Sequence, residues 1–347
     1  MADTRQLKIA LVGCGGIAGA HLKGIRAHAP RITVTAAVDI DRDRAVAVAN
    51  ETGAEPFTSF DDALRDGDFT AVDIMLPHHD HENAAVRAFS AGKHVVLEKP
   101  MATKIDACDR ILAAARDAGT VFMIAEQAQY WPDAIEVKRM IDDGVIGDVI
   151  TARAFFGGAA GPRIAEKPWR FDKSVAGGGI CIDGGSHWIR PLRMWFGEID
   201  EVVAVTGRPL AEMEGESLVH ALMRFRSGLV VTYDALHAGA VIGAGEQFRV
   251  TGTLGEIVIE RGRTGRVLLF DREHPDGVDV PVTVDGAIVS LGDGRGAAYG
   301  LQLNDFAHAV LDGSTLAAGP EHSLGEVRTA LAIYRSAESR SWEKVWD

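Results

Sequence analysis

A glycine-rich stretch, "GGGICIDGGSH" at residues 177–187, carries an acid and a candidate base. Asp183 and His187 are four residues apart, so on a helix they would share one face. The ordinary pKa of histidine lies near neutrality, which suits a group that takes and returns a proton. The stretch therefore predicts a helix starting near Gly184 that presents an acid/base pair. The alternative is a helix cap beside a packed histidine.

A candidate lysine lies in "GKHVVLEKPMAT" at residues 92–103, where an apolar strand pattern ends in Glu98, Lys99 and Pro100. Pro100 has no N–H, so it ends the strand, and it biases Lys99 to an extended conformation. Ligands bind at the carboxyl edge of a parallel sheet. We therefore expect Lys99 to point toward a bound cofactor, although an ordinary surface lysine at a strand end fits the same pattern.

A second glycine cluster, "LKIALVGCGGIAGAH" at residues 7–21, runs from an apolar strand into a G-x-G-x-x-A spacing. Gly13 suits the tight turn, Gly15 lets the backbone approach a pyrophosphate, and the small Ala18 lets the following helix pack close to the strand. The helix N-terminus then faces the phosphates. We predict a dinucleotide-binding loop here, with Gly16 and Ile17 among its contacts.

The choice between the two nicotinamide cofactors depends on the end of the second predicted strand. Asp39 lies there, about 20 residues beyond the loop, where a carboxylate binds a ribose diol and repels a 2′-phosphate. Arg42 and Arg44 follow closely and could bind that phosphate instead. We expect NAD to be preferred over NADP.

Two patterns of secondary structure divide the chain. Up to about residue 125, short β-branched runs alternate with helical patterns, which predicts right-handed βαβ units on a doubly wound parallel sheet. Strand-like runs then follow one another through Gly-containing turns before helices return, which indicates a mostly antiparallel sheet. We predict an α/β protein with a dinucleotide-binding Rossmann domain over 1–125 and a substrate-binding α/β domain over 126–347.

Composition excludes several classes of partner and site. The net charge of −13, without a Lys/Arg-rich run, disfavours nucleic acid and anionic membranes. No apolar run could span a bilayer and the N-terminus has no leader pattern, so we expect a cytoplasmic protein. The widely spaced Cys14, Cys108 and Cys181 argue against a disulfide framework or a structural zinc site. Although "HHDH" at 78–81 could supply metal ligands, we expect no metal.

Together these motifs resemble the oxidoreductases named after glucose-fructose oxidoreductase, inositol dehydrogenase and a rhizopine-catabolism protein. The resemblance rests on the glycine loop with His21 behind it, on "PHHDHENAAVRAFSAGKHVVLEKPMA" and "GGGICIDGGSH", and also on "GVIGDV" and "YRSAES". It implies a large open second sheet used for oligomerisation, as a dimer or tetramer. It also implies hydride transfer between a nicotinamide and a secondary alcohol or ketone of a sugar or cyclitol.

The same resemblance implies roles for individual residues. Lys99, Asp183 and His187 match the family's catalytic set; we expect His187 to be the main acid/base, Lys99 to hydrogen-bond the reacting oxygen and Asp183 to orient the substrate. The residues expected at the cofactor in addition to the glycine loop and Asp39 are Pro77, His81, Glu98 and Lys99. His81 either lines the cofactor crevice or simply packs.

Two positions depart from the family pattern and bear on the substrate. Arg190 stands where many relatives have aspartate, and Gln129 stands where they commonly have arginine. The surrounding stretch carries an excess of basic residues, which either attracts an anionic substrate or forms ion pairs. The basic residues are Arg163, Lys167, Arg170, Lys173, Arg190 and Arg193. The predicted substrate-binding residues are Gln129, Trp169, Arg170, Asp183, His187 and Arg190.

Three functions remain open on these residues. The first is an NAD(P)-dependent dehydrogenase or reductase acting on CH–OH groups of a sugar, a cyclitol or a sugar-derived compound. The second is an NAD-using lyase or glycoside hydrolase that oxidises a ring carbon transiently, eliminates a substituent and reduces the carbon again. The third is a cofactor-binding regulatory protein without catalysis. Retention of all three catalytic residue types favours the first two.

Overall fold

The computed structural model describes residues 5–159, 168–240, 246–261 and 265–346. The chain forms two compact units: unit 1 comprises Met1–Gln127 and Gly296–Leu324, and unit 2 comprises Ala128–Arg295 and Gly325–Asp347. The chain first passes from unit 1 to unit 2 after Gln127, two residues beyond the predicted domain boundary at residue 125. Residues 296–324, expected in the second domain, belong to unit 1.

Strands and helices alternate in unit 1 and strands dominate unit 2. The strands are β1 Leu7–Val12, β2 Ile32–Val38, β3 Glu55–Phe57, β4 Ala71–Ile74, β5 His94–Glu98, β6 Phe122–Ala125, β7 Val149–Ala159, β8 Ile199–Gly207, β9 Leu218–Phe225, β10 Val230–Ala238, β11 Gln247–Gly252, β12 Gly255–Glu260, β13 Arg266–Asp271, β14 Val278–Asp279, β15 Thr283–Val284, β16 Ala287–Ile288 and β17 Glu343–Lys344. The α-helices are α1 Gly16–His28, α2 Arg42–Thr52, α3 Phe60–Asp66, α4 His81–Ser90, α5 Ile105–Ala118, α6 Pro132–Asp142, α7 Lys173–Ala176, α8 Ser186–Phe196, α9 Leu291–Asp312 and α10 Leu324–Ser339.

The sheet of unit 1 is parallel and has the strand order β3-β2-β1-β4-β5-β6. Its central strands are apolar on both faces because helices cover both sides, and Ile9, Leu11 and Leu97 are fully buried. The order in which strands are added to the sheet reverses between β1 and β4, and parallel sheets of this kind bind nucleotides at that point. This strand order, which includes the short β3, confirms the predicted Rossmann fold.

A close helix crossing explains why residues 296–324 belong to unit 1. A Cβ placed on Gly24 of α1 would lie 2.5 Å from the backbone N of Gly300 of α9, so the two backbones nearly touch. On the same segment of α9, the Tyr299 hydroxyl accepts a hydrogen bond from Gln127 Nε2 at 2.8 Å. The sequence pattern shows two helices at the end of the chain but does not show that Gly300 packs on Gly24.

The sheet of unit 2 has nine strands in the order β14-β13-β12-β11-β7-β10-β9-β8-β17. β7 and β10 pair in parallel and the other neighbours are antiparallel. This confirms the predicted large, mostly antiparallel sheet. Along β9 buried residues alternate with more exposed ones, so one face packs inward and the other carries exposed apolar side chains such as Val205 and Leu222.

Candidate active site

The glycine loop of unit 1 has the backbone that a dinucleotide requires. Gly13 adopts φ +96°, and a Cβ there would lie 2.4 Å from the carbonyl oxygen of Met75. Gly15 precedes α1, and a Cβ on it would meet nothing within 4 Å, so the space above the loop is open. No side chain caps the start of α1, which lies within the described residues. Its backbone N–H groups therefore suit a pyrophosphate.

Asp39 follows β2 and lies beside this loop. Its Oδ2 accepts a hydrogen bond from Cys14 N at 2.8 Å, and its Oδ1 accepts one from Asp41 N at 2.9 Å. The carboxylate is thus held in one orientation next to the turn, as a ribose-binding acid requires. Burial, aided by the charge of Asp39, raises the pKa of the Cys14 thiol to about 12, so the thiol is neutral at physiological pH.

Lys99 follows the last residue of β5, as the strand pattern predicts, and its bond to Pro100 is cis. The Glu98 carboxylate accepts a hydrogen bond from Lys99 N at 3.1 Å. Pro77, three residues after the neighbouring strand β4, is half-buried. Lys99 is itself half-buried.

His81 is packed between the turn after Lys99 and the segment after β4. Its Nδ1 lies 2.8 Å from the Pro100 carbonyl oxygen and its Nε2 lies 2.9 Å from the Leu76 carbonyl oxygen. Burial lowers the pKa of His81, so the neutral ring donates its single N–H to one of these two oxygens. The side chain is fully buried. Because both ring nitrogens face backbone carbonyl oxygens, this geometry favours the packing alternative for His81.

In unit 2, His187 lies in the first turn of α8, and Asp183 lies in the turn just before that helix. The helix begins at Ser186, and residues 181–185 form a turn. The turn is closed by a hydrogen bond from Gly185 N to the Ile180 carbonyl oxygen at 2.7 Å. The predicted helix start near Gly184 is therefore two residues early, because a glycine pair favours a turn over a helical start. Both side chains remain partly exposed.

Glu216 holds the backbone that leads into this turn, and no sequence pattern predicted that role. Its carboxylate accepts hydrogen bonds from Gly179 N at 2.8 Å, from Cys181 N at 2.9 Å and from the Tyr334 hydroxyl at 3.0 Å. A Cβ on Gly179 would lie 1.9 Å from the Glu216 carbonyl oxygen, so the glycine allows this approach. No local pattern marks Glu216, because its partners are distant in the sequence.

Arg170 fixes the orientation of Asp183. Its Nε donates a hydrogen bond to Asp183 Oδ2 at 2.6 Å, and its guanidinium lies 4.4 Å from the centre of the Trp169 ring. Both side chains of the ion pair are partly exposed. His237 of β10 also belongs to this region: burial lowers its pKa, and the charge of Asp183 opposes that shift.

An aromatic wall supports His187. The centres of the Trp131 and His187 rings are 6.0 Å apart. The Arg261 guanidinium lies 3.5 Å from the centre of the Trp131 ring. The neighbouring Trp188 is buried and stacks on Phe156 at 4.4 Å. It therefore belongs to the core, whereas Trp169 stays half-exposed.

Arg190 is not an exposed cation. Its guanidinium is 1% exposed and donates to Glu326 Oε2 at 2.9 Å, while Nη1 lies 3.5 Å from Gln129 Oε1. Arg193 pairs with the same Glu326 and with Glu198. This contradicts the predicted role of Arg190 as a substrate-binding cation, because its charge is buried and neutralised. Gln129 is half-buried beside it.

The basic stretch was expected either to attract an anionic substrate or to form ion pairs. Arg170, Arg190 and Arg193 all pair with carboxylates, which favours the ion-pair alternative over a cationic lip. Arg163 and Lys167 lie outside the described residues. Lys173 is exposed on α7.

Comparisons with known proteins agree with this geometry. The family model described as "Oxidoreductase family, NAD-binding Rossmann fold" matches residues 7–126, and that of the "GFO/IDH/MocA C-terminal domain" matches residues 134–258. A dTDP-3,4-didehydro-2,6-dideoxy-alpha-D-glucose 3-reductase from Actinomadura kijaniata is 31% identical over 68% of this chain and 71% of its own. The chain belongs to the Gfo/Idh/MocA oxidoreductase family.

Other members of the Gfo/Idh/MocA family match nearly the whole chain. Levoglucosan dehydrogenase from Pseudarthrobacter phenanthrenivorans is 27% identical over 98% of both chains. A solved structure of levoglucosan dehydrogenase in complex with NADH superposes with a TM-score of 0.86 at 25% identity, covering 99% of this chain and 100% of that one. The chain is thus an NAD(P)-dependent oxidoreductase, and the redox-neutral and non-catalytic alternatives are less well supported.

Two features complete the description of this family member. Within the described ranges, no group of three or more histidine, cysteine, aspartate or glutamate side chains is placed to hold a metal ion. None of the helices described is long and apolar enough to cross a membrane.

Proposed function

We propose that the protein transfers hydride between NAD and a secondary alcohol or ketone of a neutral, sugar-like substrate. The observation that carries the proposal is the turn before α8, where Asp183 and His187 are partly exposed and Arg170 neutralises Asp183. Neighbouring arginines are also paired, so nothing in this region of the described chain favours an anionic substrate. Levoglucosan dehydrogenase and inositol 2-dehydrogenase are relatives whose names refer to uncharged compounds, whereas the 3-reductase from Actinomadura kijaniata is named for a dTDP-linked sugar. The pairing of the arginines is what favours the uncharged class here.

The proposed chemistry divides among three side chains. Bound nicotinamide supplies the hydride acceptor or donor. The imidazole of His187 takes the proton of the reacting hydroxyl during oxidation and returns it during reduction. The ammonium of Lys99 donates a hydrogen bond to the reacting oxygen, and Asp183, held through Oδ2 by Arg170, orients the substrate.

Substitution of these residues tests the assignment. His187→Asn is expected to lower kcat by about 10²–10⁴-fold, the usual contribution of a positioned acid or base. Lys99→Met, which removes the donor to the reacting oxygen, and Asp183→Asn, which removes the orienting carboxylate, are each expected to lower kcat by about 10²-fold. Binding of NADH, followed by fluorescence, should change little in His187→Asn and Asp183→Asn. Lys93→Met is the control, since Lys93 lies just before β5, at the opposite end of the strand from Lys99, and its Nζ donates to the Phe69 carbonyl oxygen. Wild-type turnover in His187→Asn would contradict the proposal.

A substrate screen tests the compound class. NAD⁺ and NADP⁺ reduction should be measured with anhydrosugars, cyclitols, aldoses, uronates and sugar phosphates. We expect turnover with uncharged compounds and net formation of NADH. Activity confined to uronates or sugar phosphates would refute the neutral substrate, and product without net redox change would indicate the lyase or hydrolase chemistry.

The preference for NAD and the assembly of subunits complete the proposal. Asp39, with both oxygens oriented by backbone N–H groups, supports binding of an unmodified ribose. The exposed face of the nine-stranded sheet carries Val205, which is 67% exposed, and Leu222, which is 41% exposed, and these apolar side chains support a homo-oligomer. Light scattering after size-exclusion chromatography should show a dimer or tetramer, and a monomer would refute this. The cytoplasmic location stays a prediction.

A further inference from the structure

A buried histidine of unit 1 joins two carboxylates below the turn that carries Lys99. His21, in the second turn of α1, is 0% exposed. Its Nδ1 lies 2.7 Å from Asp73 Oδ2 on β4, and its Nε2 lies 3.0 Å from Glu98 Oε1 at the end of β5. Neither the dinucleotide loop nor the proposed acid/base set uses this histidine.

The ring bridges the two carboxylates as an imidazolium. Each ring nitrogen faces a carboxylate oxygen, and only the protonated ring can donate from both nitrogens. Burial opposes the positive charge, but Asp73 and Glu98 outweigh it and raise the pKa of His21 to about 10. Without that cation, two carboxylates would remain buried without their shared partner, which is strongly unfavourable.

The bridge controls the carboxylate that holds the Lys99 backbone. Glu98 uses Oε1 for His21 and Oε2 for the N–H of Lys99. With both oxygens engaged, Glu98 cannot rotate without breaking one of the two bonds. On the other side of the turn, His81 holds the Pro100 carbonyl oxygen. The backbone is therefore held at Lys99 N and at the Pro100 carbonyl oxygen, on both sides of the Lys99 side chain.

We propose that His21 is a positioning residue for Lys99, acting through Glu98. The proposal rests on the function assigned above, in which Lys99 contacts the reacting oxygen. It adds that the helix following the dinucleotide loop also orients the lysine at the neighbouring strand end. A purely structural His21 would stabilise the sheet without any specific effect through Lys99.

A double-mutant cycle separates the two roles. Kinetic constants and the NADH dissociation constant are measured for wild type, His21→Asn, Lys99→Met and the double variant. We expect His21→Asn to lower kcat by about tenfold or more, with a smaller change in substrate KM, and to have less than about a threefold further effect when Lys99 is already replaced. Effects that multiply would overturn the proposal, as would wild-type kcat in a folded His21→Asn.

Two further variants keep the test decisive. His94→Asn is the matched control, because His94 accepts a hydrogen bond from Val121 N at the opposite end of β5; it should leave kcat unchanged. If His21→Asn does not fold, Glu98→Gln enters the same cycle, and multiplying effects there would again overturn the proposal. Wild-type turnover in Lys99→Met would instead refute the proposed function, so the two failures are distinguishable.

Discussion

Replacing Glu216 with glutamine is expected to loosen the turn before α8 and to lower both the free energy of unfolding and kcat. The Glu216 carboxylate receives three donors: Gly179 N, Cys181 N and the Tyr334 hydroxyl. Glutamine has nearly the same shape but only one acceptor oxygen. In either orientation of its amide, at least one of these donors faces an NH₂ group instead of an oxygen.

Opposing terms set the size of the effect. A buried donor left without an acceptor costs about 1–3 kcal/mol, and hydrogen bonds to a neutral acceptor are weaker than those to a charged one. Burial raises the pKa of Glu216, so the charge is itself costly there and glutamine removes that cost. Since three donors converge on the carboxylate, we expect the hydrogen-bond loss to dominate, with a net destabilisation of about 1–3 kcal/mol.

Urea unfolding followed by tryptophan fluorescence measures the stability, and steady-state turnover measures the effect on the site. Misplacement of the turn should lower kcat about tenfold, since small displacements of reacting groups are costly. Glu214→Gln is the matched control. Glu214 is exposed, two residues away, and accepts a bond from Lys173 N, so its loss should cost within about 0.5 kcal/mol. Equal stability and equal kcat in the two variants would refute the reasoning.

Three shorter predictions concern unit 1. Gly13→Ala should abolish NADH binding and destabilise the fold by about 1–3 kcal/mol from the positive φ, with further cost from the Met75 contact; Gly19→Ala, whose Cβ would meet nothing within 4 Å, should not, as calorimetry and titration would show. Asp39→Asn should reduce the ratio of NADP to NAD dissociation constants, and an unchanged ratio would contradict the role of Asp39. The pKa of His21 is raised in the folded state from 6.5 to about 10, so the stabilisation that protonated His21 contributes is full below about pH 6.5 and is lost as pH rises through about 10. The free energy of unfolding, measured in urea, should therefore fall more steeply over that pH range for wild type than for His21→Gln, and equal slopes would contradict the bridging role of His21.

Much of the local structure could be predicted from contiguous residues. The strand that enters Gly13, the helix that follows Gly15 and the strand that ends before Lys99 are each encoded by neighbouring letters, because hydrophobic period and backbone freedom act over a few residues. The helix carrying His187 was also predicted, but its start was not, since Gly184 and Gly185 leave the backbone free to form a turn first.

The charged pairs could not be predicted in this way. Arg190 could be recognised as unusual in the sequence, yet its burial depends on Glu326, which is 136 positions away. Glu216 and His21 likewise acquire their roles from partners on other strands and helices. Ion pairing requires two groups within a few ångströms, and single-sequence patterns carry no information about which distant residues meet.

The sequence by itself determined the class of the protein: a dinucleotide loop, a lysine at a strand end and an acid followed four residues later by a histidine. Only the tertiary structure decided which charges are exposed and which are neutralised, and that residues 296–324 return to the first unit. The physical reason is the distance along the chain over which each interaction acts. Periodicity and turn chemistry act between neighbours along the chain, whereas burial, ion pairing and helix packing act between neighbours in space.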